Sequence, residues 1–197
     1  MIGFRYGRKS WALISDGANV HPSAVVGSPP EHRGWWNERL DPQYVGSGEC
    51  FHALIKDGAR LGPFVNVDAG YVGNTVVGAS WLMAFVHVAH DCVIGDNCEI
   101  SPHSALMGHV EVGDNVRIGG GALIKPFMKI GDNARIGIGA VVTKDVPAGE
   151  VWAGNPAEPL DRLRRRRMLC QPPDEIGDGT EVLRMASQAE VRTRDYA

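Results

Sequence analysis

The residues with the most chemical potential are crowded into one short stretch. His87, His90, His103 and His109 follow one another there, and Asp91 stands next to His90. A neutral imidazole, titrating at about 6.5, can accept a proton at neutral pH and later return it. An adjacent carboxylate could orient such a ring, as the acid of a triad does. Neighbouring residues in a strand point to opposite faces, so His90 and Asp91 can meet only at a corner. Otherwise Asp91 is a turn residue. Imidazoles also bind zinc. A second candidate group is the arginine run of Arg162 and Arg164 to Arg167, whose guanidinium forks suit phosphate. The plain alternative for that run is the solvated face of a helix. Cys92 and Cys98 read as small buried thiols, neither ligands nor nucleophiles.

These residues sit in a chain of 197, with 25 glycines, 12 prolines and few aromatics. That composition predicts many turns and few long helices. A net charge of −3 gives no reason to expect a nucleic-acid partner. No apolar run is long enough for a membrane span, and the basic start of the chain leads into no signal-peptide core. Four scattered cysteines do not make a disulfide scaffold. The expectation is a cytoplasmic protein.

A period of six organises the glycines. Ile94, Ile100, Leu106, Val112, Ile118, Ile124, Ile130, Ile136 and Val142 recur without a miss. Four residues after each aliphatic stands a mostly small residue, such as Cys98, Ser104 or Ala122. Gly95, Gly113, Gly119, Gly131 and Gly137 follow the aliphatics and read as corners. Ile14, Val20, Val26, Ile55, Leu61 and Val67 extend the pattern backwards. The phase slips by three residues between Val67 and Val76, from which it runs on to Leu82 and Val88. A six-residue period is the signature of a parallel β-helix. The expected architecture is all-β, about six coils over 1–157, interrupted by a loop at about 28–53. A helical tail over 158–197 has helices expected at 158–169 and 181–192. Trp35 and Trp36 in the loop could cover a pocket or pack on their own prism.

Several segments resemble the left-handed β-helix hexapeptide acyltransferases, in particular the UDP-N-acetylglucosamine and related nucleotide-sugar acyltransferases. They are His87-Val-Ala-His90-Asp91-Cys92, Gly108-His109-Val-Glu-Val-Gly, Val20-His21-Pro22-Ser23-Ala24, Asp145-Val146-Pro147 and Gly154-Asn155-Pro156-Ala157. The left hand is implied by the resemblance alone, since parallel crossovers are otherwise right-handed. The resemblance implies a homotrimer with active sites between prisms, His90 as general base and Asp91 as its orienting partner. It implies substrate contacts from His87, Gly108 and His109. Lys125 stands where the lipid A enzymes carry a further histidine and is a substrate-side candidate. Asn155, Arg164 and Arg165 are candidates for the donor, an acyl-CoA or an acyl carrier protein. No metal or permanently bound cofactor is expected. The acceptor expected is a sugar or nucleotide sugar.

Two rival readings stand beside this one. The γ-class carbonic anhydrases share the prism and bind zinc between subunits through three histidines. Their paired histidines are closer in sequence than His103 and His109. A structural β-helix without chemistry is the other.

Overall fold

The computed structural model describes residues 5–6, 9–10, 12–28 and 52–169. The body of the inserted loop, with Trp35 and Trp36, and the helix expected at 181–192 lie outside the described residues. The chain divides into two compact units, Met1–Leu160 and Asp161–Ala197. In the first, Arg5–Tyr6 pairs antiparallel with Lys9–Ser10, and six coils follow. Each coil lays one short strand on each of three parallel sheets. Face one runs from Ala12–Ile14 through Ala53–Ile55, Thr75–Val77, Val93–Ile94 and Glu111–Val112 to Lys129–Ile130. Face two begins at Asn19–Val20 and extends past Arg135–Ile136 to Val151–Ala153. Face three carries Val25–Ser28, Asn66–Asp68, His87–Val88, Ala105–Leu106, Leu123–Ile124 and Val141–Val142.

The six-residue period has a direct physical cause. In each two-residue strand one side chain faces in and its neighbour faces out. Ile94, Ile100 and Leu106 are buried on three successive faces, and the next coil stacks Val112, Ile118 and Ile124 on them. Burying each such side chain contributes about 1.5–3 kcal/mol. The small residues fill the narrow angles between faces: Cys92, Cys98, Ser104, Ala122 and Ala134 are all buried. The interior is thus filled by side chains, and binding must take place on the outside.

The corners correct one expectation. Gly95, Gly113 and Gly131 do not adopt the left-handed backbone conformation. Asn97, Asn115 and Asn133, two positions later, do, at φ of 57°, 57° and 59°. The glycines are needed for clearance instead. A Cβ on Gly95 would run into Asp114 and the Gly113 backbone, and one on Gly113 into Asp132. Those aspartates accept from the coil before: Asp114 Oδ1 takes the Asp96 N–H at 2.7 Å and Asp132 Oδ1 the Asp114 N–H at 2.9 Å. The Gly-Asp-Asn triplet therefore combines room, a bond between coils, and a residue that tolerates the corner.

The other two corner columns are less conventional. One contains Phe64, Phe85 and His103, the other Asp91, His109 and Phe127, all with positive φ. A left-handed residue other than glycine costs about 1–2 kcal/mol. Stacked rings offset part of that: Phe64 on Phe85 at 5.0 Å, Phe85 on His103 at 4.9 Å and His109 on Phe127 at 4.6 Å. Aromatic pairs of this kind contribute about 0.5–1.5 kcal/mol.

Two further details differ from the sequence reading. Val77, not Val76, is the buried residue of its strand, and Leu82 follows only five positions later. A tight turn, Ser80 N–H to the Gly78 carbonyl at 2.7 Å, absorbs the missing residue. The helix begins at Leu160 rather than at Glu158, and Glu158–Pro159 pairs antiparallel with the Val151–Ala153 strand. A residue before proline is pushed to extended backbone, which keeps Glu158 out of the helix.

Ile100→Ala should lower unfolding free energy by about 2–5 kcal/mol. Asn115→Ala should cost about 1 kcal/mol while Asn115→Gly stays near neutral. Urea titrations monitored by circular dichroism check all three.

Candidate active site

At the corner between faces three and one, the backbone brings His90 and Asp91 together. Both lie in the turn after His87–Val88, and Asp91 has a φ of 60°. The left-handed residue breaks strand alternation, so both side chains leave on the outside. His90 Nδ1 and Asp91 Oδ2 are 2.8 Å apart. A carboxylate only accepts, so Nδ1 carries the hydrogen and Nε2 presents its lone pair. The next coil sets Gly108 and His109 on the same corner, with the His109 N–H donating to the His90 carbonyl at 3.1 Å. The His90 ring lies over Gly108, where a Cβ would come within 2.7 Å of Cε1 and 2.8 Å of Nε2. His109 meets His90 edge-on, with ring centres 5.2 Å apart, and its Nε2 is 3.6 Å from Asp91 Oδ2.

The phase slip of the repeat serves Asp91. Residues 69–74 interrupt the repeat and turn three consecutive backbone N–H groups toward Asp91. Those of Tyr71, Val72 and Gly73 donate to Asp91 Oδ1 at 3.0, 2.9 and 2.6 Å. Thr75 Oγ1 accepts the Asp91 N–H at 2.8 Å. Burial pushes the carboxyl upward. The hydrogen bonds from His90 and from the N–H groups of Gly73, Val72 and Tyr71 outweigh it, and the net value lies below the usual 3.8.

His87 stands at the edge of a second polar group. Its Nδ1 is 3.1 Å from Asn66 Nδ2, and its Nε2 is 3.9 Å from Asp68 Oδ2. Asn66 Nδ2 also donates to Asp68 Oδ1 at 2.8 Å, and the Ser28 hydroxyl reaches Asn66 Oδ1 and Asp68 Oδ1 at 2.9 and 2.7 Å. Sequence reading did not single out Asn66, Asp68 or the Tyr71–Gly73 backbone. The available signal was Asn-Val-Asp on a strand whose neighbour in the next coil starts with His87.

The remaining candidates are spread out. Lys125 is exposed directly after the Leu123–Ile124 strand, two coils along face three from His87. Two rungs of parallel strands make roughly 10 Å. Asn155 is exposed in the turn after the Val151–Ala153 strand. Arg164 and Arg165 are exposed on helix α1 (Leu160–Leu169), in the second unit, where Arg164 lies 3.8 Å from Asp161. His103 is at another corner, stacked on Phe85, so the four histidines do not converge. Among the described residues, His90, Asp91 and His109 place ligand-type atoms within 4.8 Å of one another. Asp91 Oδ1 is already committed to three N–H groups and Oδ2 to His90, which fits a hydrogen-bonded dyad better than a metal site. Burial pushes the Cys92 thiol up to about 12 and raises that of Cys98, so both stay protonated and unreactive at neutral pH.

From Asp91 and His109 an open groove of about 610 Å³ runs along face one, past Val93, Glu111 and Lys129 to Asp145. Glu111 and Lys129, neighbours on successive strands along it, form an ion pair at 2.9 Å. Among the described residues no helix is long and apolar enough to cross a membrane.

Comparison with known proteins agrees with this architecture. Residues 74–106 match the bacterial transferase hexapeptide (six repeats) family. A UDP-3-O-acylglucosamine N-acyltransferase of Caulobacter vibrioides is 44% identical over 157 residues, which are 79% of this chain and 45% of that protein. An acyl-(acyl-carrier-protein):UDP-N-acetylglucosamine O-acyltransferase of Burkholderia ambifaria is 45% identical over 100 residues, 48% of this chain and 38% of that one. The crystal structure of a UDP-N-acetylglucosamine acyltransferase from Bacteroides fragilis superposes with a TM-score of 0.66 at 28% identity, covering 79% of this chain and 59% of that one. The chain spans less than half the length of the curated relatives it matches. Its fold is that of the Bacteroides fragilis crystal structure, a left-handed parallel β-helix, and part of it matches the hexapeptide-repeat family. Within that class it resembles the UDP-N-acetylglucosamine acyltransferases.

The depressed Asp91 value has a defined consequence for stability. The carboxylate's contribution is complete above about pH 4 and is lost as pH falls through the native value. Asp91→Asn should lose about 1–3 kcal/mol at neutral pH. The gap to the parent protein should shrink as pH falls below the usual carboxylate range. Chemical denaturation across that range checks it; a gap independent of pH would contradict the assignment.

Proposed function

We propose that the protein transfers an acyl group from a thioester to a hydroxyl or amine of a nucleotide sugar, with His90 as general base. The observation that carries this reading is the clamped dyad. Asp91 holds the Nδ1 hydrogen of His90 and is itself fixed by three backbone N–H groups. His90 Nε2, with no protein partner among the described residues, is left as the proton acceptor. It takes the proton of the acceptor group as that oxygen or nitrogen attacks the thioester carbonyl carbon. Asp91 stabilises the imidazolium that results. When the tetrahedral intermediate collapses, the C–S bond breaks and the thiolate leaves, with the proton available from the imidazolium.

Gly108 supports the same reading. Its N–H has no acceptor among the described residues, and only glycine fits under the His90 ring. That N–H serves as the oxyanion donor. His109, beside both, contacts the reacting groups, His87 and Lys125 face the acceptor, and Asn155 faces the donor; Arg164 and Arg165, in the second unit, offer guanidinium groups suited to a donor's phosphates. The donor we favour is an acyl carrier protein, the acyl source for which the Burkholderia relative is named; acyl-CoA is the alternative. A homotrimer completes the site. The exposed rings of Phe64 and Phe85 give a neighbouring prism apolar surface to cover, and closed symmetry suits a site on an outer corner.

Thiol release from acyl carrier protein and from acyl-CoA, with UDP-N-acetylglucosamine as acceptor, tests the reaction. His90→Ala should fold normally and lose at least about a hundredfold in turnover. Gly108→Ala should lose tenfold or more, on the order of one displaced catalytic hydrogen bond. Unchanged turnover in His90→Ala would remove His90 from the mechanism. Stoichiometric zinc in the purified protein would favour the metal reading instead.

A further inference from the structure

Ser28, Asn66, Asp68 and His87 form a hydrogen-bond relay whose polarity can be counted out atom by atom. Asp68 is buried, and as a carboxylate it only accepts. The Asn66 group 2.8 Å from its Oδ1 is therefore the NH₂ end. That fixes the amide, and its Oδ1 shares the single Ser28 hydroxyl hydrogen with Asp68 Oδ1, at 2.9 and 2.7 Å. The second Asn66 N–H points at His87 Nδ1, 3.1 Å away. Both amide hydrogens are then used, and His87 Nδ1 must accept. In its neutral form His87 carries its hydrogen on Nε2. His90, three residues on, is held by Asp91 in the opposite tautomer.

The outer end of the relay is a matched pair. His87 Nε2–H is a donor, its side chain 39% exposed, and Asp68 Oδ2 is an acceptor, its side chain 9% exposed. They are 3.9 Å apart, too far for a hydrogen bond to each other. A hydroxyl oxygen about 2.8 Å from both would subtend about 90° between them, accepting from one and donating to the other. An apolar group or an amine cation does not satisfy both. We propose that Asp68 and His87 anchor a hydroxyl of the sugar acceptor, and that Asn66 is the positioning residue that sets His87 as donor. This rests on the acyl-transfer reading for the identity of the ligand, but not for the relay.

Ring-nitrogen NMR of histidine-labelled protein at about pH 8 tests the relay without any turnover. His87 should show Nε2–H and an unprotonated Nδ1. Asn66→Asp, which can only accept, should move the hydrogen to Nδ1. A parent protein with His87 in the Nδ1–H form would overturn the relay, whether or not acyl transfer occurs. Asp68→Asn keeps the contact to Asn66 and replaces the free acceptor by a donor. With UDP-N-acetylglucosamine as the probe, its KM should rise about tenfold or more, with kcat within about threefold and the donor KM unchanged. An unchanged acceptor KM would overturn the anchoring role.

Discussion

The Asp91 carboxylate is the point on which the site depends. One oxygen is held by three successive backbone N–H groups and the other by the imidazole of His90. A carboxylate accepting that many hydrogen bonds is held ionised and immobile. Both properties reach His90. The ring inherits a fixed orientation and a fixed tautomer, and a cation formed on it would meet a countercharge already in place. The three N–H groups exist only because the repeat breaks between Asp68 and Thr75. An uninterrupted coil would have directed them into the ladder of a sheet.

Elsewhere the fold uses the same device in weaker form. Asp96, Asp114 and Asp132 each accept one backbone N–H from the preceding coil, at corners where asparagine takes the left-handed position. Asp91 differs by occupying the left-handed position itself. That sets its carboxyl beside the His90 ring, with its side chain only 5% exposed, whereas Asp96, Asp114 and Asp132 are exposed. A shift of the aspartate within the turn thus separates a plain bond between coils from a carboxylate paired with an imidazole.

The two faces that meet at this corner have different chemistry. Face three carries the donor–acceptor group of Asn66, Asp68 and His87. Face one carries the groove past Val93, Glu111 and Lys129. His90 stands between them, with Gly108 leaving space beneath its ring. The imidazole is thus flanked by two surfaces of different character. A solid prism has no interior cleft, so its open surfaces lie at the faces and corners.

The sequence by itself determined the coil. Aliphatic residues at every sixth position and small residues between them can be buried together only in a three-sided parallel stack, and the Gly-Asp-Asn triplets mark its turns. Resemblance to known acyltransferases pointed to His90, Asp91, Gly108 and His109, and the spacing of about one coil put His90 and His109 on neighbouring turns. The sequence could not decide whether His90 and Asp91 touch, because that depends on a single φ angle. Nor could it reveal that the irregular segment before Thr75 supplies backbone donors, for N–H groups have no letter in a sequence. The glycines were misread as strained corners because a glycine needed for clearance looks the same in sequence as one needed for conformation. Asn66 and Asp68 passed unnoticed because their importance lies in which neighbours accept and which donate. Only the stacked coils, with strands about 4.8 Å apart, fix those partners.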